Sequence, residues 1–392
     1  IIHDEKMIKV ADYGDANIGK LKTLYRVGLG HRYGKSMQTI AGIHFNFSIA
    51  DLYWDKLKKE DDSLTKNKMY MGLIRNFRRY SYLLKFLFGT ASSVHKSFLD
   101  NKVHSLKLIG NETYELENGL SLRVGPLGYT SNSQENIQLC FNSVENYVET
   151  LERARLESYS DYEKIGLYDS EDNRKQLNTN ILQIDNEYYS NIRPKNIAKS
   201  KESALQALHR RGIEYIEVRL TDLNPLEPVG ISLDQVYFYK VFLLWCLFRP
   251  SPEITAMECS SLKEKFLKVV LEGDNLNLYN EELNSIFDEL KLLASRLGSK
   301  YLGATNYFYQ FINNPQNRSS QLWKKRAQDK GFIKANLEIA EKRVYDYALS
   351  DQFEKELKLE AQKSLLEQAK LERMDQLEFE EFLVKYFEEI KI

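Results

Sequence analysis

The sequence predicts an α+β fold built around an antiparallel sheet, on three observations. Residues 37–48, MQTIAGIHFNFS, alternate with period two. Thr39, Ala41, Ile43, Phe45 and Phe47 form a mostly apolar row, and Gln38, Ile40, Gly42, His44 and Asn46 form the opposite one. The stretch YELENGLSLRV (114–124) sets Asn118-Gly119, a two-residue turn signal, between alternating arms and reads as a hairpin. Strands and helices then intermix without regular βαβ spacing, which favours α+β over a parallel sheet.

Taken in order, residues 1–36 are Gly-rich and read as loop plus a short helix, and 37–48 as a strand. Residues 51–90 place apolar side chains at helical spacing in LIRNFRRYSYLLKFLFG. SVENYVETLERARLE (143–157) reads as a helix, and LNTNILQI (177–184) and GIEYIEVRL (212–220) as strands. SLDQVYFYKVFLLWCLF (232–248) opens on the capping pair Ser232 and Gln235 and runs as a buried helix until Pro250. From about 335 onward the chain is helical and charged.

The strands share a feature. GIEYIEVRL carries Ile213, Tyr215, Glu217 and Arg219 on one face and Glu214, Ile216, Val218 and Leu220 on the other. In LSLRV, Ser121 and Arg123 lie opposite Leu120, Leu122 and Val124. A sheet covered by helices on its apolar side would collect Gln38, His44, Asn46, Arg123, Glu217 and Arg219 on one polar face. A carboxylate with an imidazole suits a divalent cation, and arginines grip phosphate or carboxylate. Each signal also has an ordinary reading. A lone strand His is commonly a satisfied residue, and Glu217 with Arg219 is commonly a solvated ion pair.

Composition narrows the function classes. The 392 residues are 43% hydrophobic and 28% charged, with 55 Lys plus Arg against 56 Asp plus Glu. No net field draws the chain to nucleic acid or membrane. Cys140, Cys246 and Cys259 are widely spaced and suggest neither a disulfide framework nor a zinc site, so a reducing, cytoplasmic location fits. VFLLWCLF (241–248) is too short to span a bilayer. No P-loop, GxGxxG, HExxH or GxSxG occurs.

Five stretches occur in order: YGDANIGKLKTLYRVGL, RYGKSMQTIAGIHFNFS, LRVGPLGYTSNSQ, LQIDNEYYSNIRPK and RRGIEYIEVRLTDLNP. Together they resemble the signature stretches of proteobacterial-type glutamate–cysteine ligase, also called gamma-glutamylcysteine synthetase. The resemblance runs from about residue 10 to the closing FEEFLVKYFEEI. It implies a glutamine synthetase-like antiparallel β-sheet funnel flanked by helices, with residues 1–392 forming one catalytic domain. It also implies ATP- and Mg2+-dependent (or Mn2+-dependent) activation of the L-glutamate gamma-carboxylate as a gamma-glutamyl phosphate. Attack by the amine of L-cysteine would follow, in the first step of glutathione biosynthesis. A monomer with no nucleic-acid or membrane partner is expected.

By motif match, the resemblance assigns Glu217 and His44 to metal, Asn46 and Arg219 to nucleotide, and Glu217 and Arg219 to catalysis. It assigns Tyr25, Leu29, Gln38, Ile40, Arg123, Tyr129 and Tyr189 to the cysteine pocket. Two departures stand out: the usual YGxSN is Tyr13-Gly14-Asp15-Ala16-Asn17, and Pro126 replaces an acidic residue before the LGY stretch. The resemblance also implies a leading segment with a Glu-x-Glu strand and further acidic metal ligands. The chain begins IIHDEK, so it is read as N-terminally incomplete and inactive alone. The alternatives are a non-catalytic paralogue that binds nucleotide or amino acid, and a carboxylate–amine ligase with another acceptor.

Overall fold

Alternating sequence becomes sheet where the backbone has no other partner. β1 (Ile43–Phe47) pairs antiparallel with β6 (Tyr215–Thr221), and β6 pairs antiparallel with β5 (Ile192–Lys195), giving the order β1-β6-β5. The computed structural model describes residues 4–61, 65–99, 102–128, 131–135, 137–139, 141–199, 202–276, 281–346, 351–375 and 377–392. Ile216, Val218 and Leu220 of β6 are buried on the inner face. Each contributes on the order of 1.5–3 kcal/mol by leaving water.

The core behind this sheet is helical. α1 (Asn17–Tyr33) precedes β1, and α2 (Asp51–Glu60) and α3 (Lys66–Phe88) follow it. α3 packs on β5, β6 and α7 (Leu233–Phe248), and the Phe45 ring of β1 lies 5.2 Å from that of Tyr239. α7 is apolar around most of its circumference and is buried accordingly. Ser232 caps it, accepting from the Gln235 backbone N–H at 3.1 Å. At its other end, the Asn76 amide donates to the carbonyls of Cys246 and Arg249, both at 2.9 Å.

A second small sheet, β2-β4-β3, comprises β2 (Ser93–His95), β3 (Lys107–Ile109) and β4 (Thr113–Glu115). α4 (Val144–Leu156), α5 (Ser160–Ile165) and α6 (Ala204–Arg211) lie between β4 and β6 in the chain. After α7 come α8 (Ala256–Glu272), α9 (Glu281–Leu297), α10 (Ser299–Asn313), α11 (Ser319–Lys330), α12 (Phe332–Asp346), α13 (Asp351–Met374) and α14 (Phe379–Glu389). The last of these returns to the start. Leu383 packs with Leu21 and Leu24 of α1, and the Asn17 amide donates to Asp375 Oδ1 at 3.1 Å and to the Leu377 carbonyl at 2.8 Å. Arg155 donates to the Ile390 carbonyl at 2.8 Å, and Gln206 to the Glu389 carbonyl at 2.7 Å. Among the described residues, no helix is long and apolar enough to cross a membrane.

Four local expectations are corrected. The N-terminal helix is not short; it spans 17 residues. The strand at 37–48 shrinks to 43–47, because Lys35–Thr39 forms a 3-10 turn closed by Thr39 Oγ1 donating to the Ser36 carbonyl at 2.7 Å. The hairpin at 114–124 does not form. Its Asn118-Gly119 turn exists, with the Gly119 N–H on the Leu116 carbonyl at 3.0 Å, but it sends the second arm elsewhere. Leu120 donates to Val270 and Leu122 to Ala91, while the true hairpin is β3–β4, turning at Gly110 with φ +64. The strand at 177–184 is an irregular segment. Two of its carbonyls, Asn178 and Asn180, accept from Arg32, and the Leu177 N–H goes to the Gln183 side chain.

Candidate functional site

Period-two geometry brings three side chains into one row across the sheet. Asn46 of β1 and Arg193 of β5 both stand opposite Glu217, which occupies the central strand. Between Ile43 and Phe45 the β1–β6 register shifts, an irregularity of the kind that re-aims side chains beside sites. His44 lies at this point, its Nδ1 3.5 Å from Glu217 Oε1 and its ring about half exposed. Arg219 Nη1 donates to Glu217 Oε2 at 3.0 Å. Glu217, His44, Asn46 and Arg219 are thus brought together as the sequence suggested.

Charge at this face is predominantly positive. Burial opposes ionisation of Glu217, but Lys195, Arg219 and Arg193 outweigh it and hold the carboxyl below its ordinary range. Burial, with Arg193 next in weight, pulls the Lys195 ammonium downward, and burial does the same to the Arg193 guanidinium. His44 is also lowered, by burial first and Arg219 second, with Glu217 opposing, so its imidazole is neutral at pH 7. Three cations around one carboxylate leave a surplus that suits phosphate oxygens. The Arg193 Nε is buried without a partner, and its Nη2 donates to the Asn186 and Tyr188 carbonyls.

The residues present do not by themselves make a metal site. Among the described residues no group of three or more His, Cys, Asp or Glu could hold an ion. His44 and Glu217 offer two donors, and one Glu217 oxygen already accepts from Arg219.

The residues assigned to the cysteine pocket divide among several elements. Tyr25 and Leu29 lie on α1, Leu29 buried and Tyr25 half-buried. Burial, with Glu187 next, drives the Tyr25 phenol well upward, keeping it a neutral donor. Gln38 and Ile40 belong to the 3-10 turn and its end, not to the strand face; the Gln38 amide donates to the Arg26 carbonyl at 2.9 Å, which ties it to α1. Tyr189 meets Tyr33 edge-on at 5.9 Å, and its N–H donates to Gln134 Oε1 at 2.8 Å. Arg123 is buried, donating from Nε to Asp222 at 3.0 Å and from Nη2 to the Arg219 carbonyl at 2.9 Å. Tyr129 and Cys140 lie outside the described residues.

Sequence reasoning missed Arg193 and Lys195, although their two-residue spacing in NIRPK was the available signal. It also missed the fully buried Arg32–Glu187 pair at 3.3 Å. Glu187 Oε1 accepts from the Tyr33 hydroxyl at 2.9 Å, and Tyr33 in turn lies 3.0 Å from the Tyr162 hydroxyl. This network backs the wall that carries Tyr189.

Comparison with known proteins places these features in context. The glutamate–cysteine ligase family profile matches residues 1–269. A glutamate–cysteine ligase of Saccharophagus degradans is 46% identical over 279 residues, which is 70% of this chain and 53% of that protein. One of Alcanivorax borkumensis is 38% identical over 417 residues, covering 99% of this chain and 79% of the relative. The chain thus spans about half the length of the Saccharophagus degradans relative and of one from Hahella chejuensis, which is 45% identical over 278 residues. Among solved structures, a glutamate–cysteine ligase from Francisella tularensis in complex with AMP is similar with TM-score 0.92 and 32% identity. The match covers 98% of this chain and 80% of that one. A bifunctional glutathione synthetase from Pasteurella multocida, at 23% identity and TM-score 0.62, shares the fold.

Proposed function

The chain belongs to the glutamate–cysteine ligase family, and from that premise we propose that the whole protein joins L-glutamate to L-cysteine at the expense of ATP. The observation that carries this reading is the surplus of cations, Arg193, Lys195 and Arg219, around Glu217 on the polar sheet face. The AMP bound by the Francisella tularensis relative supports use of an adenine nucleotide.

The chemistry follows from what the face can stabilise. The terminal phosphoryl of ATP passes to the gamma-carboxylate of glutamate, giving gamma-glutamyl phosphate and ADP. The cysteine amine then attacks the acyl carbon, phosphate departs, and the amine loses a proton. Negative charge grows on phosphoryl oxygens in the first step and on the departing phosphate in the second. Fixed cations lower both barriers without reorganising. Arg123 is the natural partner of the acceptor's carboxylate, with Tyr25 and Tyr189 as pocket walls. For magnesium or manganese this chain offers His44 and Glu217, too few donors alone, so its share of phosphate binding rests on Arg and Lys.

The test is cysteine-dependent release of ADP by the complete gene product supplied with glutamate, ATP and magnesium. Release is expected with cysteine and absent without it. No release with cysteine would overturn the reading, and release with a different amine alone would assign another acceptor. Residues 1–392 alone are expected to show little turnover, because two metal donors do not complete a phosphoryl-transfer site.

A further inference from the structure

The end of β6 is held by a buried ion cluster of which the proposed chemistry uses Arg123 alone. Asp222 follows β6 directly and is 2% exposed. Its Oδ1 accepts from Arg123 Nε at 3.0 Å and Ser121 Oγ at 3.1 Å. Its Oδ2 accepts from Lys85 Nζ at 2.9 Å and from the Thr90 N–H at 3.2 Å. Lys85 also donates to the Leu220 carbonyl at 2.9 Å, and Arg123 Nη2 to that of Arg219 at the same distance. Two cations thus clasp successive carbonyls of one strand and meet on one carboxylate.

A guanidinium is planar, so two fixed nitrogens determine where the third points. Asp222 fixes Nε, the Arg219 carbonyl fixes Nη2, and Nη1 is left beside Gly42. A Cβ on Gly42 would lie 2.6 Å from both Cζ and Nη1. Gly42 is not among the glycines of positive φ, so its backbone conformation does not demand glycine. The guanidinium does.

We propose that Asp222 and Gly42 are positioning residues for Arg123, one anchoring its guanidinium and the other keeping the slot in which it lies. Through Arg123 they set the acceptor pocket against the strand that carries Arg219 and Glu217. The inference rests on the ligase reading above and goes beyond it, since it gives both residues a role that acts through Arg123. A purely structural ion cluster would tolerate a small shift of the guanidinium, whereas a recognition group would not.

The test measures KM for cysteine, KM for ATP and kcat in the complete enzyme, for wild type, Gly42→Ala and Asp222→Asn, with thermal melting of each. Gly42→Ala keeps every charge and displaces only the guanidinium. It is expected to raise KM for cysteine on the order of tenfold, with KM for ATP within about twofold. Asp222→Asn is expected to show the same selectivity together with a lowered melting temperature. Unchanged cysteine KM in Gly42→Ala, or an equal rise for both substrates, would overturn the proposal while leaving the ligase reading intact. A folded wild type without cysteine-dependent ADP release would overturn both.

Discussion

At Glu217, burial raises the cost of a charge, while Lys195, Arg219 and Arg193 reduce it by more. The result is a carboxylate held ionised in a field that is positive around it. Its side chain faces the polar side of the sheet and makes no part of the apolar core formed by Ile216 and Val218. Glu217→Gln is therefore expected to leave the fold intact and lower turnover of the complete enzyme on the order of a hundredfold or more. Circular dichroism and kcat, measured on the same preparation, check both halves. A variant with normal turnover would reduce Glu217 to an ion-pair partner of Arg219. Strand alternation alone made His44, Asn46, Glu217 and Arg219 legible on one face, while Arg193 and Lys195, two of the three cations around Glu217, were missed. The arrangement of Arg123 was not legible either, since its hydrogen bonds go to Asp222 and a carbonyl that no local pattern reveals.

Elements were legible where one periodicity decided them and illegible where side chains compete for the backbone. α3, α4 and α7 follow apolar spacing and Ser or Thr caps, and all three form where expected. The segment 177–184 alternates like a strand, yet Arg32, nearly 150 residues away in sequence, takes two of its carbonyls, a competitor that no local pattern reveals. Asn118-Gly119 does turn the chain, but which strand receives the arm depends on Ala91 and Val270, which are distant in sequence. Arg32 also supplies a stability prediction, through its buried partner Glu187 just beyond the segment 177–184. Glu187→Gln leaves the Arg32 guanidinium buried with no counter-charge, which typically costs about 3–5 kcal/mol. Denaturant unfolding should show a lower midpoint, and Arg32→Met in the same chain should recover part of the loss. An unchanged midpoint in the single variant would mean that Tyr33 and the backbone hold this segment without the pair.

Over the whole molecule, the buried cluster at the end of β6 links global stability to pH. Burial lowers the Lys85 ammonium to about 8, Asp222 opposing and Arg123 assisting. Between about 8 and the ordinary lysine value, the unfolded chain binds a proton that the folded chain has released. Stability due to this group therefore rises with pH across that window, by up to about 1.4 kcal/mol per unit. Urea unfolding between pH 8 and 10 should show the rise, and Lys85→Met should flatten it. An identical slope in the variant would assign the proton elsewhere. The fold class was the most legible feature at this scale, because mixed helices and alternating strands without βαβ spacing leave few other architectures.

The docking of the last helix on the first carries a consequence for how the chain comes into being. Asn17, at the start of the helix that carries Tyr25 and Leu29, bonds Asp375 and Leu377, 358 and 360 residues further on. At ribosomal speeds of about 5–20 residues per second, that interval is about 20–70 s. Throughout it, Leu21 and Leu24 wait without the Leu383 surface that covers them. Nascent chains stalled before α14 should therefore expose this wall to proteases and chaperones, and the pocket it borders is finished last.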